Sequence, residues 1–420
     1  MSDTAGYDES CTDQWKDQLD MDKLCGPVSS QETCWLCENF TAWNQVMSAL
    51  GLGLEESMPG MLLLRCSFDV KAESERLATT RQASFLASWL LFHHPCIQEL
   101  IFVAIDGSDE ERTSLAQQLL ADNSYDRVRL GPWTEPYLRV LSPVLASCRS
   151  SVEQIFLPDI GELSLDSVTV LCNALASCKR VKHLIVAVRQ EPDARVALLC
   201  DTLKNNRYIE RLNIEIENAD SAKEILCALT VNAAVTFLDI TLRVTANEES
   251  TKAFSDMLSR NDAITSMSVW LEGEDAQHFL DSIAKAMARN KFIVSFISRV
   301  DCRIYVPYSI LESVRRNKCS LNRAVERRVD RRGAECFELF VGRPCMMSQV
   351  SEVAGITDEE ARLKVVAAEH LLREKYFVLT GIVRSSVVCW PAVATQIDAL
   401  NSDCWQAIAR YLRLNDVCFQ

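Results

Sequence analysis

Cys34 and Cys37, with two residues between them, are the pair in this chain whose spacing best suits chemistry, since two thiolates so placed can share a zinc ion or act as a redox pair. A closed zinc site needs four donors. No second pair at that spacing follows, and Cys11 and Cys25 are too irregularly placed to complete the set, so the sequence assigns no metal and no cofactor. The histidines His93, His94, His183, His278 and His370 fall on unrelated elements and match no metal or nucleophile arrangement. His93 and His94 close a helix ahead of Pro95, where an imidazole suits the open carbonyls of the last turn. The chain has no Gly-Lys-Ser/Thr and no Gly-x-Gly-x-x-Gly, so no phosphate cradle and no nucleotide are expected. Nothing brings two carboxylates together for acid-base work. The reading is non-catalytic, with no catalytic residue to name.

The charge balance narrows the partners. With 58 acidic against 44 basic residues the formal charge is −14, a field that opposes nucleic-acid backbones and anionic membranes. No apolar run approaches the roughly 20 residues that cross a bilayer. The acidic start, MSDTAGYDESCTDQWKDQLDMD, is unlike a secretory signal, and the 18 cysteines scatter singly as small hydrophobes, which together predict a cytoplasmic protein with reduced thiols. The basic run from Arg315 to Arg332 reads as a solvated helix face or as a contact for an acidic partner.

The elements that would position functional side chains are set by a repeat. An apolar residue, two others, an apolar residue, one other and an apolar residue recur as Val152/Ile155/Leu157, Val181/Leu184/Val186, Ile209/Leu212/Ile214, Val235/Leu238/Ile240 and Ile264/Met267/Val269, with a weaker copy at Ile293. The steps are 29, 28, 26, 29 and 29 residues. Six residues ahead of each leading position from Val181 to Ile293 stands a large apolar residue (Leu175, Leu203, Leu229, Leu258, Met287), and three ahead of the last four stands Asn206, Asn232, Asn261 or Asn290. Each unit therefore reads as strand, loop, helix and turn, with the asparagine expected in a left-handed helix cap. Alternating strands and helices also describe a doubly wound α/β domain; the near-constant period favours a solenoid.

These units resemble leucine-rich repeats, and their length with a full helix is similar to the ribonuclease-inhibitor class found in the repeat region of NOD-like receptors. The resemblance implies an α/β solenoid: a horseshoe with parallel strands on the concave side and helices on the convex side. One departure is clear. The family's asparagine, three positions after the last strand leucine, is replaced by Ile160, Arg189, Glu217, Arg243 and Glu272.

The organisation expected is an acidic mobile tail over 1–33, a helical N-terminal cap over 34–61, about eight units over 62–305 and a helical C-terminal domain over 306–420. Thr357 and Glu360 are placed as a capping box at the start of a long helix. In a horseshoe the strand residues alternating with the buried ones face the concave side, which puts His183, Ile185 and Ala187, then Arg211, Asn213 and Glu215, then Phe237, Asp239 and Thr241, then Ser266, Ser268 and Trp270, then Ser295, Ile297 and Arg299 on a partner-binding surface. A protein partner is expected there. The segment from Leu400 to Val417 is similar to an Elongin-binding box or the first half of an F-box, which implies docking of a ubiquitin-ligase adaptor through Leu400, Cys404, Ile408 and Leu412. Asn401 stands where an F-box has proline.

Overall fold

The computed structural model describes residues 18–21, 23, 25, 34–58, 61–66, 80–94, 96–102, 127–130, 138, 142–143, 145, 152–243, 247–271, 276–299, 306–326, 331–379 and 402–414.

Ten strands form one sheet whose spatial order is their order in the chain. They are β1 (Leu52–Met58), β2 (Met61–Cys66), β3 (Ile97–Phe102), β4 (Arg127–Leu130), β5 (Gln154–Asp159), β6 (His183–Val188), β7 (Arg211–Ile216), β8 (Phe237–Leu242), β9 (Ser266–Leu271) and β10 (Ser295–Arg299). All neighbours are parallel except β1 and β2. Parallel neighbours need a crossover, and helices supply it. Between β5 and β10 these are α3 (Leu165–Ser177), α4 (Ala194–Asn205), α5 (Ala219–Val231), α6 (Glu248–Arg260) and α7 (Ala276–Met287), following α1 (Phe40–Met47) and α2 (Thr80–His93). The repeating strand-helix pattern expected from the sequence is present.

Local chemistry sets the helix boundaries. Ser164, Asp193, Asn218 and Asn247 each cap a helix start by accepting backbone N–H groups from its first turn. Strands β6, β7 and β8 bury every second residue, so Leu184, Val186, Leu212, Ile214, Leu238 and Ile240 join Leu199, Leu203, Leu226, Leu229, Phe254 and Leu258 of the helices in one core. Each such side chain contributes about 1.5–3 kcal/mol on burial.

The asparagines between helix and strand are not left-handed caps. Asn206, Asn232 and Asn261 are extended, with φ of −67°, −68° and −71° and ψ of 136°, 131° and 127°. They are buried instead, and their side chains replace missing backbone partners. Asn232 Oδ1 accepts from the N–H of Ala234 (2.9 Å) and Val235 (2.7 Å), while its Nδ2 donates to the Leu203 carbonyl of the preceding unit (2.5 Å). Asn206, Asn261 and Asn290 repeat the pattern toward Leu175, Leu229 and Leu258. Each amide thus ties its own turn to the previous helix end.

The ends of the sheet depart from expectation. Within the expected helical cap, Gly51 at φ 66° turns the chain out of a short helix into β1, and Leu52 and Leu54 bury against the core. Asn44 clamps that strand, accepting from Leu54 N–H (2.6 Å) and donating to its carbonyl (3.1 Å). Leu19 and Met21, from the expected tail, are buried in the same core. At the other end α8 (Tyr308–Val325) is one long helix, because Ile310, Ser313, Asn317, Leu321 and Ala324 form one continuous buried face with no breaker between them. Ile310 belongs to the first core and Leu321 and Ala324 to a second. Buried Asn317 continues the asparagine series, donating to the carbonyls of Asn290 (3.2 Å) and Ile293 (3.0 Å). Then come α9 (Arg331–Phe340), α10 (Pro344–Ala354), α11 (Asp358–Glu374), α12 (Tyr376–Leu379) and α13 (Ser402–Tyr411). The Thr357–Glu360 capping box is formed in full.

Candidate functional site

On the sheet face that the helices leave open, parallel register lines side chains up in three rows. The first runs Gln154, His183, Arg211, Phe237, Ser266, Ser295; the second Phe156, Ile185, Asn213, Asp239, Ser268, Ile297; the third Asp159, Ala187, Glu215, Thr241, Trp270, Arg299. The residues expected on a partner-binding surface therefore do share one face. Ser268 is the exception in exposure: it is 4% exposed, a small side chain between Asp239 and Ile297 in its row.

Three kinds of contact occupy this face. His183 Nε2 lies 2.9 Å from Asn213 Oδ1, and Asn213 Nδ2 donates to Asp239 Oδ2 at 3.4 Å, a polar line across three strands. The Arg211 guanidinium stands 5.0 Å from the Phe237 ring centre, a cation-π pair. Beyond the strand ends, Arg189 and Arg243 flank two glutamates: Arg189 meets Glu215 (3.5 Å) and Glu217 (3.2 Å), and Arg243 meets the same two (2.9 and 3.7 Å). Arg189, Glu217 and Arg243 directly follow the last residues of β6, β7 and β8. Each pair alone contributes about 0.2–1 kcal/mol. Beside these polar groups Trp270 and Ile297, on neighbouring strands, are 41% and 51% exposed, an exposed apolar corner on a face where Phe156, Ile185, Ala187 and Phe237 are half-buried.

The C-terminal residues are divided. Leu400 lies outside the described residues. Cys404 and Ile408 are exposed on α13, whereas Leu412 packs against the second core and Ala409 and Leu414 are wholly buried. Arg373 Nη1 donates to the Ala409 and Leu412 carbonyls (3.1 and 3.0 Å) and pairs with Glu338 (3.0 Å), which also accepts from Leu414 N–H (2.7 Å). These bonds seat α13 on the domain.

The thiols assemble differently from the sequence spacing. Cys37 is not in the cluster that contains Cys34. The donor atoms of Cys25, Cys34, His94 and Cys96 all lie within 4.8 Å of one another. Cys25 Sγ is 3.8 Å from Cys34 Sγ, and Cys34 Sγ is 3.5 Å from His94 Nδ1. Hydrogen bonding from Cys96, and then from His94, outweighs burial and holds the Cys34 thiol down to about 4, while Cys96, as the donor, is pushed up. His93 follows the sequence reading, its Nδ1 lying 2.8 Å from the Trp89 carbonyl, but His94 turns inward and is fully buried. The sequence signal was His94-Pro95-Cys96, two donors astride a proline, which has meaning only once the fold brings Cys34 to it.

No protein-family model matches the chain, and no curated protein matches it. Among solved structures it is similar to one described as leiomodin-1 actin-binding site 2, at 13% identity and a TM-score of 0.27, over 44% of this chain and 89% of that one. Likeness at that level carries no argument about fold or role.

Proposed function

We propose that this chain is a divergent leucine-rich-repeat solenoid of the ribonuclease-inhibitor-like class, a cytoplasmic, non-catalytic scaffold that binds a protein partner across the open sheet face. The observation that carries the reading is the exposed Trp270–Ile297 corner set beside rows of polar groups already bonded to one another. Interfaces concentrate their energy in such an apolar anchor within a polar surround, and side chains held before binding lose less entropy on contact. Free thiols throughout the described cysteines fit a reducing compartment, and among the described residues no helix is long and apolar enough to cross a membrane.

The test is affinity purification with the wild-type chain and a Phe237→Ala, Trp270→Ala double variant. Truncating both aromatic rings of the face is expected to weaken a bound protein by more than about 2 kcal/mol, roughly thirtyfold in Kd, while the far-ultraviolet circular dichroism stays unchanged. An unaltered set of partners would exclude this face. A second reading, docking of a ubiquitin-ligase adaptor, rests on Cys404 and Ile408 standing exposed on α13. The same purification with Cys404→Ser and Ile408→Ser would then lose an Elongin- or Skp-type adaptor while keeping the sheet-face partner.

A further inference from the structure

We propose that Cys25, Cys34, His94 and Cys96 bind a single structural zinc ion that fastens the N-terminal segment to the first strands of the sheet.

Donor identity, spacing and burial all point the same way. Three sulfurs and one imidazole make a Cys3His set, one of the common ligand sets of structural zinc. A tetrahedron with zinc–sulfur bonds of about 2.3 Å and a zinc–nitrogen bond of about 2.0–2.1 Å has edges of roughly 3.8 Å between sulfurs and roughly 3.6 Å from sulfur to nitrogen. The two separations given above, 3.8 and 3.5 Å, are those edges. A disulfide would need sulfurs about 2.05 Å apart, and Cys25 and Cys34 are far from that. Four protein donors leave no open position, so the site is structural and not catalytic.

The surroundings are built to hold such a group. His94 and Cys96 are 0% and 1% exposed, and Cys34 is 9% exposed. The His94 ring sits 5.2 Å from the Trp35 ring and 6.0 Å from that of Trp89, and it turns Nδ1 toward the sulfurs. Trp35 Nε1 donates to the Lys23 carbonyl at 3.1 Å, which fixes the backbone two residues from Cys25. The carbonyl of Cys96 accepts from Leu62 N–H (3.1 Å) and that of His94 from Ile97 N–H (3.0 Å), so both donors stand at the entrance of β3. A cation here closes the long loop between Cys34 and His94 and draws the segment carrying Leu19 and Met21 onto the core.

The experiment measures zinc by mass spectrometry in the full chain, purified reduced and without chelator, and then replaces zinc with cobalt. One zinc per chain is expected, and the cobalt form should show sulfur-to-cobalt charge transfer with the intense visible bands of a tetrahedral site. Cys25→Ser, on the exposed side of the cluster, should lower affinity in a competition with a chelating dye by at least about tenfold, since even groups behind the ligands contribute that much. Cys37→Ser should leave metal content and cobalt spectrum unchanged. Zinc far below one per chain with no tetrahedral cobalt spectrum would overturn the proposal without any variant. So would a Cys25–Cys34 disulfide in the isolated protein, or equal loss of metal in Cys37→Ser and Cys25→Ser.

Discussion

At the scale of single residues, the buried asparagines tie each unit to the helix end before it. Asn232 satisfies two N–H groups of its own turn and one carbonyl of the preceding unit, none of which has a regular secondary-structure partner. Removing the amide leaves three backbone groups buried and unpaired, and each such group costs about 1–3 kcal/mol. Asn232→Ala should therefore lower stability by at least about 2 kcal/mol in urea unfolding. Hydrogen exchange at Ala234 and Val235 should rise with it. Unchanged exchange at those two amides would show that the side chain is not their partner. The sequence exposed these asparagines by their period, yet it misread their role. A helix-end asparagine is a left-handed cap in isolation; here the amide is recruited by the unit stacked behind it, which no local rule contains.

At the scale of elements, what matters is how one helix start grips the unit before it. Asp193 caps α4 through the N–H groups of Arg195 and Val196, and its carboxylate also holds the Arg195 side chain. Arg195 in turn donates to the Gly161 and Leu163 carbonyls of the previous unit (2.5 and 3.0 Å). Partial burial raises the Asp193 carboxyl, but the bond from Arg195 and the two backbone bonds prevail and hold it below its ordinary 3.8. The sign follows. A depressed folded value means that the stabilisation is complete above 3.8 and is lost as pH falls through the folded value. Asp193→Asn keeps the backbone cap and loses the charge, so it should cost about 0.3–1 kcal/mol near neutrality. That deficit should shrink as thermal melts are taken to lower pH; a deficit independent of pH would separate the cap from the ion pair.

At the scale of the whole molecule, the repeat array and the helical C-terminal region are joined through α8, which buries Ile310 in one core and Leu321 and Ala324 in the other. Arg316 and Asn317 of that helix also take up the carbonyls of Asn290 and Ile293 at the end of the array. A chain ending at residue 305 should therefore expose the last unit: hydrogen exchange in β10 and α7 should accelerate and the melting temperature should fall, whereas equal protection would make the array self-sufficient. The expected boundary at 305 was drawn where the period stops, and the period stops before the stacking does. By itself the sequence determined the strands of the repeated units, β5 to β10, the alternation that brings His183, Arg211, Phe237 and Trp270 to one face, and the Thr357–Glu360 cap, because each depends on residues two to four apart whose geometry the backbone enforces. Only the tertiary structure decided that Ser268 is covered, that β1 closes the sheet as an antiparallel strand, and that Cys34 pairs with His94 and Cys96 sixty residues away rather than with Cys37. Those outcomes depend on which distant elements pack together, and packing is fixed by the burial of the whole core, to which no short stretch of chain has access.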